Sequence, residues 1–137
     1  MRMLFLAISL VAGPVLAETP GTAAPAMTAA EFEAYSTGKT LTYGVGGEVY
    51  GIEQYLPGRR VLWAFKGDEC RKGYWYDAGA DICFVYDEDT GGPQCWTFHR
   101  IGGGIEARFT GDPKSADLSE VAQSPKPLIC AGPDVGA

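Results

Sequence analysis

The chain has one histidine among its 137 residues, His99. No zinc site built on several histidines can be assembled from it, and any Ser-His-Asp triad would rest on that single imidazole. As a lone histidine on a strand, His99 is expected to be half-exposed and non-catalytic. A C-x-x-C pair is also missing, which removes thioredoxin-like redox chemistry and covalent haem attachment. The nearest cysteines, Cys83 and Cys95, stand twelve apart, too far for the paired ligands of a zinc site. Basic residues are few, 11 Lys and Arg against 17 Asp and Glu. That balance argues against nucleic acid, whose binding is driven by phosphate neutralisation.

Other absences narrow the chemistry further. Gly102 to Gly104 is too short for a phosphate loop and no Lys-Ser/Thr pair follows it, so it is a hairpin turn. "DEDTGG", from Asp87 to Gly92, starts like a calcium loop. However, its fifth position is Gly91 and its twelfth is Phe98, so the bidentate glutamate is missing and a solvated turn is expected. Glu48, Glu53, Asp68, Glu69, Asp77 and Asp81 fall mostly at strand ends or turns, where carboxylates are solvated rim charges. A carboxylate-pair hydrolase is therefore the weakest reading. The expectation is a protein that is not an enzyme, with no metal and no cofactor.

No apolar run approaches the roughly 20 residues that cross a bilayer. The longest, Met3 to Val11, follows the basic Arg2 and ends at the breaker pair Gly13-Pro14. Small residues close the segment, with Val15 and Ala17 at the positions a signal peptidase recognises. Residues 1–17 are therefore expected to be a secretory signal cut after Ala17, giving a soluble exported or periplasmic protein. With Arg2 removed, 10 basic and 17 acidic residues leave a net charge of −7.

Export changes how the four cysteines are understood, because disulfides persist outside the reducing cytosol. The segment "CRKGYWYDAGADICFVYDEDTGGPQCW" holds three of the four. A hairpin joining "DICFVYD" to "QCWTFHRI" across a short turn sets Cys83 opposite Cys95, at a spacing a disulfide can bridge. Pro93 pairs badly in that register, so a bulge or a longer loop is expected there. Cys70 then joins Cys130 and fastens the irregular tail, although other connectivities are possible.

Along the chain, residues 18–27 are rich in Pro, Ala, Gly and Thr and are expected to be a disordered leader. Thr28 with Glu31 forms a capping box that starts one short helix to about Ser36, with Phe32 and Tyr35 on one face and Gly38 as its stop. From Thr40 to Phe109, short β-branched and aromatic runs alternate with turn sequences such as "GVGG", "LPGR" and "DAGAD". Val61, Trp63 and Phe65 share one face, as do Ile82, Phe84 and Tyr86, and Trp96 with Phe98. The prediction is a mainly β fold: an antiparallel up-and-down meander of six to eight strands forming a small barrel or strongly curved sheet. It carries one amino-terminal helix and two disulfides, spans residues 28–130 as one domain, and ends in a flexible tail at 131–137.

The succession "YGIEQYLPGRRVLWAFKGDEC", "GYWY", "ICFVY" and "QCW" resembles a group of small exported proteobacterial β-proteins of unknown function. The likeness covers Thr40 to Phe109 and is carried by Gly73-Tyr74-Trp75, Ile82-Cys83-Phe84 and Cys95-Trp96. It implies a loosely lipocalin-like architecture and no particular activity. The aromatics are too many for one face of a small sheet. The leading functional expectation is a non-enzymatic module binding a small apolar or aromatic ligand in a barrel mouth. Trp63, Trp75 and Trp96 would supply its walls, and Arg59 and Arg60 its rim. The alternative is a protein partner, such as an exported enzyme under inhibition or an envelope factor, engaged through an exposed aromatic face.

Overall fold

The computed structural model describes residues 23–131. The expected signal, its cut after Ala17 and nearly all of the expected tail lie outside the described residues. Within the segment expected to be a disordered leader, residues 24–27 lie against the domain. Ala26 bridges His99, and the Met27 N–H donates to the Phe98 carbonyl at 2.7 Å. Met27 is buried, which gives this stretch an apolar anchor.

Helix α1 (Ala29–Ser36) begins with the predicted capping box. The Thr28 N–H donates to the Glu31 carboxylate at 2.8 Å, and the Glu31 N–H donates to the Thr28 hydroxyl at 3.2 Å. Gly38, at φ +84°, then turns the chain out of the helix in a conformation that a side chain would strain. Eight strands follow: β1 (Thr40–Val45), β2 (Glu48–Leu56), β3 (Arg60–Phe65), β4 (Arg71–Ala78), β5 (Asp81–Tyr86), β6 (Gln94–Ile101), β7 (Gly104–Phe109) and β8 (Leu118–Ser124). Each pairs antiparallel with the next, and β8 returns to β1 with Thr40 opposite Ser124, closing a barrel. Closure gives every strand a partner on both sides, which settles the choice between barrel and curved sheet.

The period-two alternation sends Val61 and Trp63, Ile82 and Phe84, and Phe98 into the interior. Phe32 of α1 enters the barrel at one end, fully buried. Its ring centroid lies 4.3 Å from Phe98, 5.2 Å from Trp75 and 5.6 Å from Tyr55. The helix is therefore a plug, held by aromatic burial and edge-to-face contacts more than by its own short length.

Both predicted disulfides are present. Cys83 and Cys95 are cross-strand partners on β5 and β6, with Cα atoms 4.0 Å apart. Pairing stops at Phe84 opposite Gln94, so Pro93 falls in the loop, as its missing N–H requires. Cys70 joins Cys130 at a Cα separation of 5.3 Å. After β8 ends beside α1, the tail runs back along the outer wall toward this bridge. The Thr40 hydroxyl donates to the Lys126 carbonyl at 2.7 Å, and the Leu128 N–H donates to the Gln54 side-chain oxygen at 3.1 Å.

Candidate functional site

The barrel end opposite α1 is open, and a cavity leads inward from it. Strand β2 opens one side of this mouth with a β-bulge: Tyr43 pairs with Gly51 and Gly44 with Val49, leaving Tyr50 unpaired. Tyr50 lies over the rim, its ring 5.5 Å from Phe65 and 6.1 Å from Trp63, while Trp63 and Phe65 meet at 5.3 Å. Trp96 forms part of the opposite wall and packs against Phe109 at 4.9 Å. Two glycines make room for this aromatic lining. A Cβ on Gly51 would collide with the Trp63 ring, and one on Gly73 would sit 2.8 Å from Tyr86. The void left among these side chains is about 50 Å³.

Glu53 lines this cavity from β2, opposite Trp63 on β3, and is only 4% exposed. Its two carboxylate oxygens accept from the Tyr86 hydroxyl at 2.9 and 3.1 Å. Burial pushes its pKa up to about 8, and the Tyr86 hydrogen bond opposes the rise only in part. Glu53 therefore holds its proton at neutral pH. Nearby, the Tyr43 and Tyr55 hydroxyls bond each other at 2.8 Å. Burial also raises the pKa values of Tyr43, Tyr55 and Tyr86 well above the ordinary phenol, so all three stay neutral. Polar groups thus reach the cavity through a largely aromatic wall.

The residues expected to form one binding site are divided between the two ends. Trp63 and Trp96 line the cavity. Trp75, Arg59 and Arg60 do not line it. Trp75 is buried beneath the helix plug against Phe32. Arg59, just before β3, donates to Asp77 at 2.7 Å and Glu33 at 3.3 Å, with its guanidinium 4.3 Å from the Trp75 ring centroid. It clamps the helix to β4. Arg60 is exposed at the same end and donates to the Pro57 carbonyl at 3.4 Å. Strand direction explains the split, because β3 starts at the plugged end and reaches the mouth only at Phe65.

Glu53 departs most from the sequence expectation, which placed it among solvated rim charges. A signal was available in the β2–β3 hairpin. Its turn at Pro57–Arg59 sets Leu56 opposite Arg60, and counting back puts Glu53 opposite the core-facing Trp63. His99 is likewise buried, not half-exposed: Nδ1 lies 2.7 Å from the Ala24 carbonyl oxygen and Nε2 2.9 Å from the Thr97 hydroxyl.

Fold and cavity define a small disulfide-linked, up-and-down β-barrel, plugged by a helix at one end and open at the other. No protein-family model, curated protein or solved structure matches the chain.

Proposed function

We propose that the protein is an exported, periplasmic binding module without catalytic activity, taking a small ligand with an apolar or aromatic body at the open barrel mouth. The observation that carries this reading is the aromatic-walled cavity, backed at its inner end by Tyr55, Phe84 and Phe98, which pack on Phe32, and open past Tyr50, Phe65 and Trp96. A void of about 50 Å³ admits the head of a ligand, not a whole drug-sized molecule, so the body rests on the rim. Two disulfides and an amino terminus with the composition of a secretory signal support export.

Native mass spectrometry of protein purified from its host's periplasm tests the proposal, with the denatured mass of the same sample as reference. The denatured mass should match a chain starting at Glu18 and lacking four hydrogens. The native spectrum should carry a small-molecule adduct that Trp96→Ala loses. A bare chain, with Trp63 and Trp96 fluorescence unmoved by small aromatic probes, would sink the reading. The protein-partner alternative is favoured by one observation: Tyr74 and Tyr76 are 50% and 37% exposed on the outer face of β4. Their joint replacement by serine would remove that contact and leave the mouth intact.

A further inference from the structure

We infer that the mouth cavity receives the protonated head of a primary amine, with Glu53 as its counter-charge and the aromatic rim holding the amine's apolar body. The inference rests on the binding-module reading and adds the ligand's chemical class. Its first support is the inventory of polar groups. Glu53 and the tyrosines Tyr43, Tyr55 and Tyr86 bring oxygen acceptors to the cavity. Among the described residues the Tyr86 hydroxyl is the one hydrogen-bond partner of Glu53, so lone pairs remain free on its carboxylate. An ammonium offers three N–H donors and accepts nothing; ionised Glu53 only accepts, and the tyrosine hydroxyls accept as well as donate, so the cavity can meet those donors.

Size and surface agree with this choice. A void of about 50 Å³ holds one or two groups the size of water, which suits –NH3+ on a short stem better than a trimethylammonium. Trp63, Phe65 and Trp96 present aromatic rings to a cation entering past them. The loops around the mouth are acidic on balance: Asp68 and Glu69 with Lys66 lie between β3 and β4, Asp87, Glu88 and Asp89 between β5 and β6, and Asp112 and Asp117 with Lys114 between β7 and β8. Arg71 is the one basic residue lining the cavity, and it shares a groove with Asp68, Glu69, Asp87 and Glu88. An anionic ligand would have to approach through those carboxylates, whereas a cation is drawn in by them.

Binding should release a proton. Glu53 is faced by Tyr43 from β1, Tyr55 from its own strand, Tyr86 from β5 and, at the mouth, Arg71 from β4. The tyrosines remain neutral across the accessible pH range, so Glu53 is the group that titrates as the amine enters. With its pKa near 8, the ion pair forms only after Glu53 loses its proton to solvent. Affinity for an amine should therefore rise about tenfold per pH unit below that value.

The test is isothermal titration of the full disulfide-bonded protein with benzylamine, benzyl alcohol and benzoate, at pH 6 and pH 7, in two buffers of different ionisation heat. Benzylamine should bind tightest, gain about tenfold between the two pH values and release one proton. Glu53→Gln should cost benzylamine at least about tenfold, one lost charge partner, and cost benzyl alcohol, which carries no charge, much less. Arg71→Gln, at an exposed position that does not threaten folding, should tighten benzylamine. Benzyl alcohol or benzoate binding as tightly as the amine, an unchanged Glu53→Gln, or weaker binding to Arg71→Gln would overturn the amine assignment and leave the binding module standing. Failure of all three probes would overturn both.

Discussion

The two ends of the barrel solve opposite problems with similar residues. At the plugged end, Phe32, Trp75 and Tyr55 pack ring against ring and all three are buried. Basic side chains dress that end: Arg59 over Trp75, with Lys39 and Arg100 over Tyr35 at 4.1 and 4.6 Å. At the mouth, Tyr50, Trp63, Phe65 and Trp96 line a gap instead of filling it, beside loops rich in Asp and Glu. Aromatic content alone therefore says little about function; what separates core from candidate site is whether another element enters the ring of side chains. Here α1 enters one end, and the other keeps a buried carboxyl group.

The largest effect that should separate the ends is Phe32→Ala. It removes the plug's anchor, and the cost should be about 3 to 5 kcal/mol, read from denaturant unfolding. An equal loss from Tyr50→Ala, at the 41% exposed rim, would erase the distinction drawn between the ends. The disulfides come next. Cys70 and Cys130 close a separation of 60 residues and Cys83 and Cys95 one of 12. On the chain-entropy model Cys70→Ser should cost about 4 kcal/mol and Cys83→Ser about 3. Non-reducing melts in which both variants match the wild type would refute a structural role for the bridges.

The smallest effect is the most specific to the mouth. Glu53 keeps its proton up to about pH 8 in the folded state, whereas its ordinary pKa is 4.5. Between those values the folded chain binds more protons than the unfolded one, so stability falls as pH rises, by about 2 kcal/mol from pH 6 to pH 8. Glu53→Gln should flatten that slope and be the more stable protein at pH 8, as measured by chemical denaturation at each pH. A Gln variant that keeps the wild-type slope would place the titrating group elsewhere.

Much of the fold was written in local pattern. The Thr28–Glu31 capping box, the alternation through Val61, Trp63 and Phe65, and the register that pairs Cys83 with Cys95 each depend on neighbours in sequence or across one turn. The candidate site depends in part on register across one turn as well, since Leu56 opposite Arg60 places Glu53 opposite Trp63, and in part on features that no hairpin count supplies. The bulge that throws Tyr50 over the rim is marked locally only by the strand glycines Gly44 and Gly51, which do not say which residue is left unpaired. In "EVYGIEQYL" either alternating set could face inward, because one contains Tyr50, Ile52 and Leu56 and the other Val49, Gly51, Glu53 and Tyr55. Only pairing with β3 decides the matter, and it buries an acid that composition places in water. Arg59 and Arg60 are close to Trp63 in sequence, yet three residues of strand already span about 10 Å.

The seam between β1 and β8 determines when the molecule can be finished. Every other pairing in the barrel joins strands that follow one another, so each hairpin can form as soon as its own residues are available. Thr40 cannot meet Ser124 until more than half of the chain lying between them has already folded back on itself. A chain delivered amino terminus first must therefore wait, open along one side, until β8 arrives. The Cys83–Cys95 bridge belongs to that waiting period, since its hairpin is complete early. The Cys70–Cys130 bridge can form only later, once its second cysteine, which lies beyond β8, has been delivered. Cells pulsed briefly with oxidant during synthesis would carry that history in the order of the two bonds.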